Sequence, residues 1–325
     1  MKITNKLSVA VISAMTVFSV SLGAQAEYVA GDEIAVLQGF KPGGGSDVLA
    51  QLVQPYLTKS LGVNFVNEYI PGATGAIAWT RLARQSKKDG SVISITNTPM
   101  LMTNYIMNDA ITYNIKDLTP IANVVTDPGI AVVAKDSPYN TIEDLLAAAK
   151  AKPGRITVGN SGMGGDDFFT TLLLEKETGL SFKKVPFQGD GPSATAAMGN
   201  KIDVSFNNVG TVYSQVESGN LKALAVFSDK RVDSLPEVPT LKEKGIDLVA
   251  GSSRGYSAPA GIPDEARDQL VAAFEALRTN ETFLEDARKR ALNIDIVTGD
   301  EYGEMFKNME TEFQGIWKEV GSKQQ

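Results

Sequence analysis

Short strand-like and helix-like segments alternate along most of the chain, and this pattern limits the possible folds more than any other feature. Runs rich in branched and aromatic residues, such as Ile130–Lys135 and Phe182–Phe187, are each followed by a segment with apolar residues at helical spacing. This order is typical of an α/β fold with largely parallel sheets. The C-terminal part of the chain instead shows mainly helical spacing, which predicts helices over Asp264–Thr279, Glu281–Ala291 and Asp300–Val320.

The chain also carries no low-complexity segment and no Pro/Ser-rich linker. Its 325 residues are enough for two domains. Because no linker separates such domains, a protein of two lobes between which the chain crosses fits the pattern better than two domains in series.

The first 26 residues have the pattern of a signal peptide. Lys2 and Lys6 flank a short basic start, and an apolar run, Leu7–Leu22, follows that is shorter than the ~20 residues a membrane-spanning helix needs. Ala24 and Ala26 then place small residues at the two positions that a signal peptidase reads. We therefore predict cleavage after Ala26 and export to the periplasm.

Composition excludes several classes of function. Removing Lys2 and Lys6 lowers the 31 Lys and Arg to 29 against 38 Asp and Glu, a net charge of −9, which argues against nucleic acid and anionic membranes as partners. The chain has no cysteine, so it forms no disulfide and carries no lipid on cysteine. It also has no histidine, which removes the Ser-His-Asp and Cys-His nucleophiles and most zinc sites. We expect no catalytic residue, no metal and no cofactor.

Three loops repeat one arrangement, in which a strand ends, small residues follow and a helix begins. These loops are Pro42–Asp47, Ser161–Asp166 and Gln188–Gly191. Glycines let the backbone approach a ligand closely, and the unpaired N–H groups of each following helix favour carboxylate or phosphate. Since the carboxyl ends of strands in an open α/β sheet meet at the ligand crevice, the three loops together predict an anion site despite the negative net charge.

Charged residues in these loops allow two interpretations. Asp47, Asp166 and Asp167 could be helix caps or first-turn acids, and for Asp167 we adopt this interpretation. Asp47 or Asp166 could instead face the cleft, where a carboxylate would repel a bare anion and favour a ligand with an amine, a hydroxyl or a proton. Lys41 could be a solvated loop charge or could steer anions. These alternatives stay open at the level of sequence.

Several segments, taken in their order and spacing, resemble the solute-binding proteins of tripartite tricarboxylate transporters, the Bug or TctC family. The resemblance runs from about Ile34 to about Asn308. It rests on Phe40–Asp47, Asn67–Gly75, Gly159–Gly164, Gly219–Val226, Leu235–Thr240 and Ala258–Pro263.

The resemblance implies the type II periplasmic binding protein architecture, with two Rossmann-like lobes and a ligand cleft between them. It implies two chain crossovers, with a first lobe of residues 27–124 and 228–325 that includes the C-terminal helices, and a second lobe of residues 125–227. Lys41 and the pair Asp166-Asp167 depart from the residues usual in the family, which leaves the identity of the ligand open.

The resemblance also implies which residues line the cleft. Carboxylate recognition would fall to the first two glycine loops, with the segment Thr96–Thr98, Gln188-Gly189 and Asn207-Asn208 lining the same cleft. The predicted ligand-binding residues are Lys41, Pro42, Gly43, Gly44, Gly45, Ser46, Asp47, Thr96, Asn97, Thr98, Ser161, Gly162, Met163, Gly164, Gly165, Asp166, Gln188, Gly189, Asn207 and Asn208.

The implied function is a periplasmic receptor that captures a small organic acid and catalyses no reaction. The acid would be a di- or tricarboxylate, including aromatic acids, and the partner an integral-membrane permease without an ATPase. We expect a monomer. Three alternatives stay open: an amino-acid or amide binder on the same scaffold, an exported enzyme that uses Asp or Glu, and a sensor subunit for a membrane kinase.

Overall fold

Ten strands and ten α-helices, mostly in alternation, make up residues 28–320, the part of the chain that the computed structural model describes. The predicted signal peptide and its cleavage site lie outside these residues. The strands are β1 (Glu33–Gln38), β2 (Asn64–Tyr69), β3 (Val92–Thr98), β4 (Leu118–Ala134), β5 (Thr157–Asn160), β6 (Lys183–Pro186), β7 (Val204–Asn208), β8 (Leu221–Phe227), β9 (Gly251–Pro259) and β10 (Ile294–Thr298). The helices are α1 (Gly45–Leu61), α2 (Ala76–Gln85), α3 (Met100–Met107), α4 (Ile142–Ala151), α5 (Asp166–Thr178), α6 (Asp190–Met198), α7 (Val209–Glu217), α8 (Asp264–Glu275), α9 (Glu281–Lys289) and α10 (Gly299–Val320).

The long strand β4 belongs to two groups of strands. Its first part, Leu118–Pro128, pairs with β9 and β10, and β9 continues through β3 and β1 to β2. Its second part, from Gly129 on, pairs with β8 and with β7, which continues through β5 to β6. The fold is therefore α/β with two halves, and β4 crosses from one half to the other.

The sheet is mixed, which corrects the expectation of largely parallel sheets. The pairs of β1 with β2 and β3, and of β5 with β6 and β7, are parallel as expected for strand–helix–strand units. The strands that connect the halves are antiparallel, because β4 runs against β7, β8, β9 and β10, and β9 runs against β3.

Strand β9 was not apparent from the sequence pattern. β9 lies between β3 and β4, yet its run Gly251–Pro259 consists mostly of small and polar residues. The reason is close packing, since a Cβ at Gly255 would collide with the carbonyl oxygen of Ala122 and the hydroxyl of Tyr302. Periodicity of large apolar residues cannot reveal a strand built in this way.

Each half has its own hydrophobic core. In the first half, β1, α1 and α8 share a core that includes Val36, Leu57 and Phe274. In the second half, β4, β7 and β8 share one that includes Phe206 and Phe227, whose ring centroids lie 5.0 Å apart. These cores hold the ends of the strands, and thus the loops between the halves, in fixed positions.

The predicted lobe boundaries stay a prediction. Leu241 and Leu248 belong to the core of the second half, and Leu235 packs beside Val226 in a second cluster there. We therefore propose that the second lobe extends from Gly129 to about Ala250, and that the chain returns to the first lobe at β9.

Candidate functional site

Three helices that point at the space between the halves begin with an uncapped glycine. The N-cap residues of α1, α5 and α6 are Gly44, Gly165 and Gly189, and none forms a side-chain cap hydrogen bond. The first-turn N–H groups of a helix have no partner within it, and they carry partial positive charge. Three such ends at one place create a region suited to a negatively charged group.

A cavity of about 660 Å³ lies where these helices meet, lined by residues of both halves. Of the predicted residues, those that line it are Lys41, Pro42, Gly43, Gly44, Gly45, Ser46, Asn97, Thr98, Ser161, Asp166, Gln188, Gly189 and Asn208. The structure thus brings all three glycine loops to one cavity, although long stretches of sequence separate the first loop from the other two.

Asp47 does not line this cavity and instead fastens the first loop. Its carboxylate accepts hydrogen bonds from the Gly43 N–H at 2.8 Å, the Tyr69 hydroxyl at 2.6 Å and the Gln51 amide at 3.0 Å. The hydrogen bond to Asp47 is the main reason that the pKa of Tyr69 rises to about 12. This geometry favours a structural interpretation of Asp47 over a ligand contact.

The far side of the second loop also lies outside the cavity. Gly164 accepts a hydrogen bond from the Thr103 hydroxyl of α3, and a Cβ at Gly162 would contact Thr74, so this side packs against the first half. Met163 is 57% exposed. Four residues predicted for ligand binding therefore do not face the cavity. Gly162 and Gly164 face the first half, Met163 faces the surface, and Gly165 stands at the start of α5.

Strand alternation explains the two other predicted residues that do not line the cavity. Successive side chains of a strand point to opposite faces. Thr96 faces the hydroxyls of Tyr302 and Ser257, at 3.3 and 3.4 Å, while its neighbour Asn97 lines the cavity. In the same way Asn207 donates to Ser205, while Asn208 lines the cavity.

Asp167 fastens the second loop, as the sequence interpretation of this residue requires. Its carboxylate accepts hydrogen bonds from the Ser161 hydroxyl at 2.9 Å and from the Phe168 N–H at 2.8 Å, as well as from the Ser161 N–H. Ser161 is thereby held at the edge of the cavity. Burial, followed by the charge of Asp166, holds the pKa of Asp167 well above its usual range.

Arg254 of β9 is the most consequential residue that the sequence analysis missed. Its side chain is only 4% exposed and lines the cavity. It donates to Asp127 at 3.1 Å and to the side-chain oxygen Oδ1 of Asn208 at 2.8 Å, and Asp190 lies 3.6 Å away. A lone arginine in a run of small residues, Ser252-Ser-Arg-Gly255, was the available signal, but it is informative only once β9 is known to be a buried strand.

Other cavity-lining residues were also missed. They lie mainly beside the predicted ones, on the loops that follow β1 and β6 and at the starts of α3 and α6, with one on β9. They are Phe40, Met100, Phe187, Pro192, Thr195 and Ser252. Asp190 and Gly191 of the predicted third glycine loop also line the cavity, although they were not among the predicted ligand-binding residues.

The carboxyl groups around Arg254 have raised pKa values. Burial raises the pKa of Asp190 to about 7, with Arg254 opposing the rise and Asp166 and Asp127 adding to it. Burial also raises the pKa of Asp166, against the hydrogen bond that Asn208 donates to it, and the pKa of Asp127, against Arg254. Near pH 7 Asp190 is therefore protonated in about half of the molecules, which reduces the negative charge of the cavity.

Two further features of residues 28–320 bear on function. No helix in this part of the chain is long and apolar enough to cross a membrane. Within the same residues no group of three or more acidic side chains is arranged to hold a metal ion.

The fold and the cavity define the class of protein. Two α/β halves joined by crossing strands, with helix N-termini around a cavity between them, are the architecture of a type II-like periplasmic solute-binding protein. A family model described as "Tripartite tricarboxylate transporter family receptor" matches residues 49–320. The chain belongs to this family, the TctC or Bug receptors, whose members are periplasmic solute-binding proteins rather than enzymes.

Individual relatives agree with this assignment. The protein BugT of Bordetella pertussis is 25% identical over 292 residues, which cover 89% of this chain and 90% of BugT. A TctC solute-binding protein from Polaromonas, solved without ligand, is 30% identical with a TM-score of 0.68, and the match covers 89% of this chain and 99% of that protein. An R. palustris protein solved with adipate has the same fold, with a TM-score of 0.85 at 23% identity over 89% of this chain and 97% of its own.

Proposed function

We propose that this protein captures a small carboxylate in the periplasm and delivers it to the permease of a tripartite tricarboxylate-type transporter. The observation that carries the proposal is the meeting of three uncapped, glycine-led helix N-termini with Arg254 in one cavity. Fixed N–H dipoles and a guanidinium bind a carboxylate without a metal or a cofactor.

The cavity supports a small organic acid. At about 660 Å³ it falls within the range of small-molecule sites, which are typically about 300–1,000 Å³. The apolar side chains of Phe40, Met100 and Phe187 line it beside the polar ones, so a hydrocarbon or aromatic body has partners as well. Adipate in the R. palustris protein is an acid of this kind, although at 23% identity the likeness extends to the fold alone.

The remaining parts of the proposal concern partners and location. Membership of a transporter receptor family supports an integral-membrane permease as the docking partner, with no ATPase. We further propose a monomer, exported with a signal peptide that is cleaved after Ala26. An amino-acid ligand is the second candidate, because two carboxylates, Asp166 and Asp190, line the cavity and one of them could hold an ammonium group.

A thermal-shift screen of the mature chain, unfolded and refolded to strip any carried-over ligand, tests the proposed function. The panel contains mono-, di- and tricarboxylates, aromatic acids, amino acids and phosphate. Ligand at about 1,000 times its Kd adds roughly 4 kcal/mol to the stability, which raises Tm by about 10 °C in a domain of this size. A large shift confined to one class of acid supports the proposal, and no shift with any acid in folded protein contradicts it. Recovery of chemically altered ligand would favour an enzyme.

A further inference from the structure

The guanidinium of Arg254 lies directly against the first glycine loop. A Cβ at Gly45 would stand 2.8 Å from Nε and 2.9 Å from Cζ of Arg254, so only glycine leaves room for the arginine there. Gly45 and Ser46 are in the first turn of α1, where N–H groups lack partners within the helix. Arg254 and these N–H groups therefore flank the same part of the cavity.

Arg254 is held in place while most of its donors stay available. Its hydrogen bonds to Asp127 and Asn208 use two of the five N–H donors of a guanidinium. Asp127 is fixed in turn by the Gly210 N–H, at 3.0 Å, and Asn208 by the Ser252 hydroxyl, at 2.8 Å. The planar guanidinium group, whose N–H groups form a fork, is held in this way and is suited to two parallel hydrogen bonds with a carboxylate.

Asp190 lies beside the guanidinium group of Arg254 but is too far from it for a hydrogen bond. Its oxygen lies 3.6 Å from Nη2 of Arg254, beyond hydrogen-bond distance, whereas Asp127 and Asn208 are within that distance. Asp190 is 14% exposed and lines the cavity at the start of α6. An incoming carboxylate would meet the negative charge of Asp190 at the same face of Arg254.

We propose that Arg254 binds a carboxylate of the ligand through its guanidinium fork, and that Asp190 takes up one proton from solvent when the ligand binds. The protonated Asp190 then donates a hydrogen bond to the same ligand carboxylate instead of repelling it. This inference rests on the proposed function and deepens it: the ligand class is an acid without a cationic group, bound together with a proton.

The surroundings of Asp190 determine the pH range of this coupling. Arg254 of β9 faces it, as do Asp127 of β4, Asp166 and Asp167 of α5, and the loop residue Lys41 lines the same cavity. In the free protein the pKa of Asp190 is about 7, and a ligand anion beside it raises that value. The affinity is therefore constant below about pH 6 and falls as pH rises above 7, by about tenfold per pH unit for one proton.

Isothermal titration of the refolded protein with adipate and with malate, from pH 5.5 to 8.5, tests the inference. Buffers of different ionisation enthalpy count the protons, and we expect close to one taken up per acid bound at pH 8. Asp190→Asn, which imitates the protonated acid, should bind at least about tenfold more tightly than wild type at pH 8.5, with a nearly flat pH profile. Asp233→Asn is the matched control, since Asp233 is exposed and does not line the cavity, and it should follow wild type.

Arginine variants test the fork itself. Arg254→Lys keeps the charge but loses the planar fork, and we expect a loss of affinity of at least about thirtyfold. Because Arg254→Gln alone leaves Asp127 buried without its cation, the double variant Arg254→Gln/Asp127→Asn removes the ion pair as a unit and should also lose binding. Circular dichroism of each variant establishes that it is folded.

The outcomes separate this inference from the proposed function. If wild type binds either acid but Arg254→Lys binds within threefold of it, or if the wild-type affinity does not change with pH, the inference is wrong and the proposed function stands. An affinity that rises with pH, seen with an amino acid, overturns both the proton uptake and the ligand class. If neither acid binds at any pH, the proposed function fails on these ligands and the inference fails with it.

Discussion

At the scale of single residues, Asp190 and its neighbours make the free protein sensitive to pH. The pKa of Asp190 is about 7 in the folded protein against an ordinary value of 3.8, and burial is the main cause. The folded state therefore holds a proton that the unfolded state releases, so the free energy of unfolding falls as pH rises from about 4 to about 7. Asp127, Asp166 and Asp167 shift in the same direction. Exposed carboxylates with lowered pKa values, such as Asp144, act in the opposite direction but below this range.

We accordingly expect Asp190→Asn to stabilise the ligand-free protein at pH 8 and to have little effect at pH 5. A gain of about 1–2 kcal/mol in the free energy of unfolding at pH 8 corresponds to an increase in Tm of about 2–8 °C. Thermal melts of wild type, Asp190→Asn and the control Asp233→Asn at both pH values check this. An equal change in Tm at pH 5 and pH 8 would show that Asp190 is not protonated on acidification in the way the structure implies.

Gly44 and Gly164 are both glycines of the predicted site, but the structure gives them different roles. Gly44 has φ −84°, which any residue adopts, and a Cβ there would meet only the Lys41 carbonyl oxygen, at 3.6 Å. Gly164 has φ +89°, and its Cβ would stand 2.9 Å from the hydroxyl oxygen of Thr103. A side chain at Gly44 enters the cavity, whereas one at Gly164 strains the backbone and the contact between the halves.

For Gly44→Val we expect an affinity at least about a hundredfold lower, or about 2.7 kcal/mol, with a Tm close to that of wild type. For Gly164→Val we expect a destabilisation of about 1–3 kcal/mol. Titration calorimetry and thermal melts of the two variants provide the comparison. Wild-type binding by Gly44→Val would remove the first loop from the ligand site.

At the scale of secondary structure, α10 is an element besides β4 that contacts both halves. Its first turns place Tyr302 and Phe306 in the core of the first half. Its last turns reach α5 of the second half, where the rings of Phe313 and Trp317 lie 5.0 and 6.3 Å from that of Phe169. Since α5 begins at the second glycine loop, α10 helps to determine where that loop stands.

Trp317→Ala tests this role of α10. Loss of a half-buried ring should cost about 1–2 kcal/mol of stability and let the amides of α5 exchange faster. Trp317→Phe, which keeps a ring against Phe169, should retain most of the stability and serves as the control. Hydrogen exchange resolved along the chain is the measurement, and unchanged protection of α5 in Trp317→Ala would contradict the role.

At the scale of the whole molecule, the sequence indicated the elements better than their arrangement. The sequence patterns located the second part of β4, β6 and α8 to α10, because each buries one face or one run of apolar residues. The same patterns missed β9, whose small residues serve close packing, and with it the sheet order that sets β9 against β3 and β4.

The loops of the candidate site could be predicted from the sequence, but the contacts between distant strands could not. Loops with glycine before a helix carry a local signal, and the family resemblance added residues such as Asn97 and Asn208. Together they identified most of the residues around the cavity. Arg254 and Asp127 are separated by 127 positions and meet only through the pairing of β4 with β9. No local pattern reports such a contact, and strand alternation likewise decided which of Asn207 and Asn208 faces the cavity.

The central claim is that uncapped helix N-termini and Arg254 hold a carboxylate in the cavity between the halves. A crystal structure of the refolded mature protein with the acid that gives the largest thermal shift tests this most directly. We predict a carboxylate within hydrogen-bond distance of the Gly45 and Ser46 N–H groups and of the Arg254 guanidinium, with Asp190 beside it. A bound acid whose carboxylates contact neither the first turn of α1 nor Arg254 would contradict the claim.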